Sequence, residues 1–298
     1  MRRVAQAETS TLRRHGLELG LVGVAAIWGA TFVTVKRAVE VVPVFQFLAM
    51  RYGLAALVLT AACWPQVRSL GRRGLLAGGL AGVALFAGYA FQTIGVQYTR
   101  ASNAGFVTGL FVVIAPVLAV VVLRRRPAPS TMAAVALATV GLALLSLTDG
   151  LEIRRGDAIV LLAAVSFSVH IVVLARYSPE HSPAGLTVVQ MWVAGTLAAL
   201  AMGLAEHPVA PTAPDAWQGV LITGLFASAL GFFVQTLAQR YLSPTRTAII
   251  LTTEPVFAGI FGIWLLGETL GLRGWLGAAL ILAAMLVAEL APQRHREA

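Results

Sequence analysis

A carboxylate and a proline stand side by side in an otherwise apolar stretch, AIILTTEPVFAGIFGIWLLGE, residues 248–268. In a helix that begins near residue 245, Glu254 lies roughly 15 Å deep at about 1.5 Å of rise per residue. An ionisable side chain at that depth is costly, and its usual use is to face a cavity, a partner or a substrate. Two chemistries are open to Glu254: proton titration, or recognition of a cation. The plainer alternative is a protonated acid that bonds to a neighbouring helix and fixes packing. Pro255 offers no N–H to the carbonyl of Leu251, and its ring crowds the preceding turn, so a kink is expected there. Pro116, in IAPVLAV, places a second helix breaker in another apolar run.

Few other polar groups are set among apolar residues. Arg51, in MRYGL, is a candidate partner for a substrate carboxylate or for Glu254, unless its stem simply carries the charge to the membrane edge. Gln92 and Gln235 can bind a polar substrate or bond between helices. His170, in SFSVHIVV, is the one histidine inside an apolar run. It could carry protons, or sit neutral and bonded to a neighbour. Trp28, Phe32, Tyr89, Phe91 and Trp192 are candidates for the wall of an apolar pocket, with ordinary packing as the alternative. Asn103 reads as a helix cap, and Glu268 with Arg273 as a loop pair. No metal-ligand spacing, nucleophile elbow or phosphate-binding glycine loop occurs. The sequence therefore implies no metal, no cofactor and no enzyme active site.

These residues need elements to hold them, and composition restricts what those elements are. Hydrophobic residues make up 58% of the 298 and charged residues 12%. Soluble domains carry about 25% charged residues, so the chain reads as an integral membrane protein with the lipid bilayer as its first partner. The net charge of +9 collects in short loops and is read as a topology signal rather than a nucleic-acid site. With Cys63 as the only cysteine, no intrachain disulfide forms. Ten segments approach the ~20 apolar residues needed to span. They lie at 19–38, 44–64, 74–96, 103–123, 131–148, 157–176, 184–204, 217–239, 245–266 and 273–291. With the N-terminus in the cytoplasm, 15 basic residues fall inside and six outside, Arg51 being set apart in a helix. Both termini are therefore expected in the cytoplasm.

An internal echo adds to this. GYAFQTIGVQYTRAS (88–102) matches GFFVQTLAQRYLSPT (231–245) at a constant offset of 143, aligning Gly88, Gln92, Thr93 and Tyr98 with Gly231, Gln235, Thr236 and Tyr241. Each segment is the third span of its half. Ten helices divide as five plus five, and because five is odd the second half enters from the opposite side. Inverted repeats of this kind are a transporter architecture with a binding site near the midplane. They would place Gln92 and Gln235 toward opposite membrane faces.

The chain also resembles the drug/metabolite transporter superfamily, specifically EamA-like exporters. The resemblance rests on WGATFV in the first helix, RYGLAAL in the second, ASNAGFVTGLFVVIAPVLA in the fourth, TRTAIILTTEPVFAGIFGIWLLGE in the ninth and GWLGAALILAAMLVA after it. It implies ten helices in two five-helix repeats and export of small metabolites, often amino acids. The expected organisation is a cytoplasmic tail at 1–18, a first repeat at 19–148, an extracytoplasmic connection at 149–156, a second repeat at 157–291 and a cytoplasmic tail at 292–298. The expected function is secondary transport across the inner membrane, with proton coupling through Glu254 or His170 as one drive and facilitated diffusion as another. The rivals are an intramembrane lipid-modifying enzyme, which would need a nucleophile–base pair or a metal cluster, and a channel or non-transporting sensor. Neither the substrate's identity nor the oligomeric state follows from the residues.

Overall fold

The computed structural model describes residues 2–96, 98, 107–124, 128–146, 155–266 and 271–290. Every regular element among them is helical. In chain order these are α1 (Arg2–Val41), α2 (Val44–Arg68), α3 (Gly71–Val96), α4 (Phe111–Leu123), α5 (Pro129–Ser146) and α6 (Arg155–Tyr177). There follow α7 (Pro183–Ala205), α8 (Pro214–Gln239), α9 (Pro244–Leu251), α10 (Glu254–Leu266) and α11 (Leu272–Leu290). Most of the tail expected at 1–18 is helical, because α1 starts at Arg2. Nothing in those residues breaks a helix before Gly16, and Arg14 pairs with Glu18 one turn on at 3.2 Å. The connection at 149–156 and the tail at 292–298 fall largely or wholly outside the described residues.

Among the described residues five helices are long and apolar enough to cross a membrane: Val44–Arg68, Gly71–Gly95, Arg155–Tyr177, Pro183–Ala205 and Pro214–Gln239. Shorter apolar helices cover Val107–Leu123, Pro129–Leu144 and Leu272–Val287. Large apolar side chains point outward, with Leu204 at 89% and Trp264 at 77% exposure, while Gln190, Thr236 and Ser228 are fully buried. A bundle that is oily outside and shelters its few polar groups within suits lipid as its solvent.

Helix starts follow local chemistry. Ser182 and Ser243 cap α7 and α9, accepting from the N–H of Gly185 and Arg246 ahead of Pro183 and Pro244. The start of α2 is held from elsewhere. The carboxylate of Glu206, just past α7, accepts the N–H groups of Phe45 and Gln46 at 2.9 and 3.0 Å. The Gln46 amide then closes a two-way bond with the backbone of Val209.

The ninth expected span is two helices. Thr252 and Thr253 interrupt it, and their hydroxyls donate to the carbonyls of Ile249 and Ile250 at 2.5 and 2.7 Å. Pro255 cannot donate to the turn before it, so the chain breaks just ahead of Glu254, and the threonines satisfy part of the exposed backbone. A second irregularity lies in α8, where Thr223–Leu230 is wound as a π-helix.

Helices pair across the two halves. α2 packs along α7, and α5 along α11; α3 lies on α6 and α7; α1 lies on α8 and α10; α2 touches α8, and α4 touches α6. With α9 and α10 taken together as one segment, this set of pairs is unchanged when the halves are exchanged. The echoed glycines obey the same rule. A Cβ on Gly88 would strike Phe167 of α6, and one on Gly231 would strike Trp28 of α1.

Candidate functional site

The break before α10 sets Glu254 in that helix's first turn. Close approach of α1 fixes the position of this turn. A Cβ on Gly29 would lie 2.7 Å from the Ala258 nitrogen and 2.9 Å from the Glu254 carbonyl oxygen, so only glycine lets the two backbones come so near. The WG pair of α1 thus has two tasks, with Gly29 seating α10 and Trp28 reaching α8.

That reach ends on the π-helical turn. The Trp28 indole donates to the Ala227 carbonyl at 2.9 Å, and Arg51 Nε donates to Ser228 Oγ at 2.6 Å. A π-turn shifts the backbone register by one residue and turns groups outward that an α-helix would keep to itself. Arg51 is 3% exposed, with its guanidinium 4.9 Å from the ring centre of Tyr89 and 5.4 Å from that of Tyr52. Stacking and the serine bond together hold it in place. Its charge is inside the bundle, so carriage to the membrane edge is not what the structure shows.

All seven candidate pathway residues line one cavity: Trp28, Arg51, Tyr89, Gln92, His170, Gln235 and Glu254. The cavity encloses about 920 Å³ of empty space, its open mouth included. Its aromatic wall is continuous. Tyr89 meets Phe167 edge-on at 5.2 Å and Phe232 at 6.3 Å, and Phe232 meets Trp28 at 5.1 Å and His170 at 5.7 Å. Arg51 and Glu254 share this space without forming a direct ion pair.

The amides and the imidazole are bonded to neighbours. His170 Nε2 lies 2.7 Å from Gln190 Oε1, Gln92 donates to Thr108 at 3.3 Å, and Gln235 donates to Gln239 at 3.2 Å. Gln92 and Gln235 each stand near the C-terminal end of their helices. Other candidates lie elsewhere. Pro116 is buried within α4, Pro255 sits at the break itself, and Phe91 is off the cavity wall. Trp192 faces outward and donates to Thr60 at 2.9 Å. The Phe32 side chain, Asn103 and Glu268 are outside the described residues. No group of His, Cys, Asp or Glu suited to hold a metal occurs among the described residues.

Several site residues escaped the sequence reading. Gln190 and Gln239 stand in apolar helices just as Gln92 does, and the same rule would have found them. Ser228, Phe167 and Phe232 carried no such signal.

Comparison with known proteins agrees with the geometry. The model of the EamA-like transporter family matches twice, over residues 17–147 and 154–289. An uncharacterized transporter of Archaeoglobus fulgidus is 32% identical over 287 residues, covering 96% of this chain and 89% of that protein. The uncharacterized transporter YyaM of Bacillus subtilis is 24% identical, covering 93% and 94%. One solved crystal structure superposes with a TM-score of 0.79 at 18% identity, over 93% of this chain and 97% of that one. This likeness speaks for the fold alone.

Proposed function

We propose a mechanism from the premise that the chain belongs to the EamA-like transporter family. It is a membrane transporter. In our reading it is a secondary transporter that exports small metabolites, amino acids above all, across the inner membrane by alternating access. One observation carries this: a guanidinium and a carboxylate line the same cavity yet make no ion pair with each other. Opposite charges held apart in an aromatic-walled space suit a small zwitterion. Arg51 would take its carboxylate in a fork of N–H donors, and Glu254 its ammonium.

In the same reading ten spans form two inverted five-helix repeats, with both termini cytoplasmic. The exchange-invariant helix pairing and the two family matches support the repeat, and the basic loops support the orientation. The break between α9 and α10 and the π-turn of α8 provide irregular backbone at the site, as broken helices do in transporters. Glu254 is the group we assign to coupling, because among the described residues it is the one carboxylate lining the cavity.

Counterflow tests the function. Proteoliposomes loaded with unlabelled amino acid should accumulate the labelled form transiently, and Glu254→Gln at equal protein level should lose this or lose its pH dependence. Absence of counterflow for a broad amino-acid panel would overturn the substrate class, and normal pH-responsive exchange in Glu254→Gln would remove Glu254 from coupling. Reporter fusions at Ala298 and in the 149–156 connection should lie on opposite sides.

A further inference from the structure

We infer that a hydrogen-bond relay behind the cavity leaves two unpaired acceptors, His170 Nδ1 and Gln235 Oε1, on the wall formed by α6 and α8, so that the site selects ammonium groups bearing N–H over fully alkylated ones. The inference rests on the transporter reading only in taking this cavity as the ligand site.

The relay has two arms, and each fixes its own proton directions. In the first, Thr236 donates to the carbonyl of Phe232 at 2.6 Å, and a carbonyl can only accept. The single hydroxyl proton is thereby used, so the group of Gln190 at 3.1 Å from Thr236 must be the amide nitrogen. The Gln190 oxygen then faces His170 Nε2 and requires a proton on it. In the neutral ring Nδ1 is left as an acceptor, and His170 makes no other hydrogen bond among the described residues. In the second arm, Gln239 donates to the carbonyl of Ile171 at 2.7 Å. Its oxygen must accept from Gln235, whose amide nitrogen thus faces Gln239 with one of its two N–H groups. The remaining Gln235 atom is the oxygen, buried and without a hydrogen-bond partner among the described residues. The carbonyl at the end of each arm, Phe232 in the first and Ile171 in the second, sets its direction.

His170, Gln235 and Glu254 all line the cavity, whereas Gln190, Thr236 and Gln239 stand behind it and are 1% exposed or less. The latter three are positioning residues. An orphan acceptor inside a bundle is destabilising until a donor arrives, and an N–H-bearing ammonium is such a donor. The aromatic wall alone would rank ligands the other way, since cation–π attraction accommodates quaternary ammonium. The two features therefore give opposite predictions for one pair of ligands.

The experiment compares 2-phenylethylammonium with its N,N,N-trimethyl analogue on the purified full chain in detergent, reading half-saturation from tryptophan fluorescence and from thermal stabilisation. The primary ammonium should half-saturate at a concentration at least about tenfold lower, the scale of one hydrogen bond to a charged group. Gln239→Met lets the Gln235 amide turn, and Thr236→Val lets that of Gln190 turn; in each, the preference should fall toward parity. Equal affinities, tighter binding of the quaternary compound, or binding of neither would overturn the inference, whatever the variants do. An unchanged ratio in both folded variants would remove the relay from it. Counterflow is scored separately, so a failed transport reading and a failed acceptor wall give different results.

Discussion

Two glycines of α1 should respond in opposite senses to the same substitution. On Gly29 an added methyl would lie 2.7 Å from the Ala258 nitrogen, and 2.9 Å from both the Glu254 carbonyl oxygen and the Phe257 Cβ. Comfortable contact begins at about 3.5 Å, so the helices must part by several tenths of an ångström. Two of the three atoms are backbone, which no rotamer change can move. Overpacking of this sort costs about 1–3 kcal/mol, while alanine's better helix propensity returns up to about 1 kcal/mol. The net loss for Gly29→Ala is therefore about 1–2 kcal/mol. At Gly23, two turns earlier, nothing lies within 4 Å of the added methyl. Gly23→Ala keeps only the propensity gain, about 0.5–1 kcal/mol. Thermal unfolding of the two purified variants in one detergent measures the difference, and Gly29→Ala should unfold below wild type while Gly23→Ala unfolds at or above it. Counterflow should also drop in Gly29→Ala alone, because displacing α10 displaces Glu254. Equal melting temperatures would refute the claim that glycine is required for close approach of α1 and α10.

Three further outcomes are expected. Glu206→Ala removes both acceptors from the start of α2 and should lower stability by about 1–2 kcal/mol in the same melt, with Glu206→Gln intermediate. Glu18 and Arg246 join α1 to α9 in a pair that is 7% and 4% exposed. Breaking such a pair costs about 3–5 kcal/mol, so Glu18→Gln should melt markedly lower and expose a thiol placed at buried Thr247 in a Cys63→Ala background to a soluble maleimide. On the α6–α7 loop, Arg176 donates to Glu180 at 2.6 Å and holds its carboxyl below the usual carboxylate range. That depressed value means the stabilisation is present above the ordinary Glu value of 4.5 and is lost as pH falls through the lowered one. Because the pair is exposed, Arg176→Ala should change stability by no more than about 0.5 kcal/mol at neutral pH and by nothing in strong acid.

The membrane character of the chain and most of its helices were legible because lipid imposes a one-dimensional rule. Apolar runs of fixed length are needed, and turn residues separate them. The rarity of polar groups in those runs also marked Glu254, Arg51 and His170, since each such group needs a local reason to be there. Pro255 stood out in the sequence because a missing N–H is a property of one residue, and it lies where one helix gives way to the next. What the sequence did not determine was how these groups meet. That Trp28 and Arg51 would end on a π-turn of α8, that Arg51 and Glu254 would share a cavity without pairing, and that Gln190 and Gln239 would fix the protons of their neighbours all depend on contacts between residues far apart in the chain. Such contacts are set by which helix faces meet, and in an apolar bundle the faces differ by a few glycines and hydroxyls. Periodicity is nearly silent there, since lipid-facing and core-facing residues are alike apolar. Only the packed structure brings the donors and acceptors within 3 Å or so, and hydrogen-bond direction follows from that geometry alone.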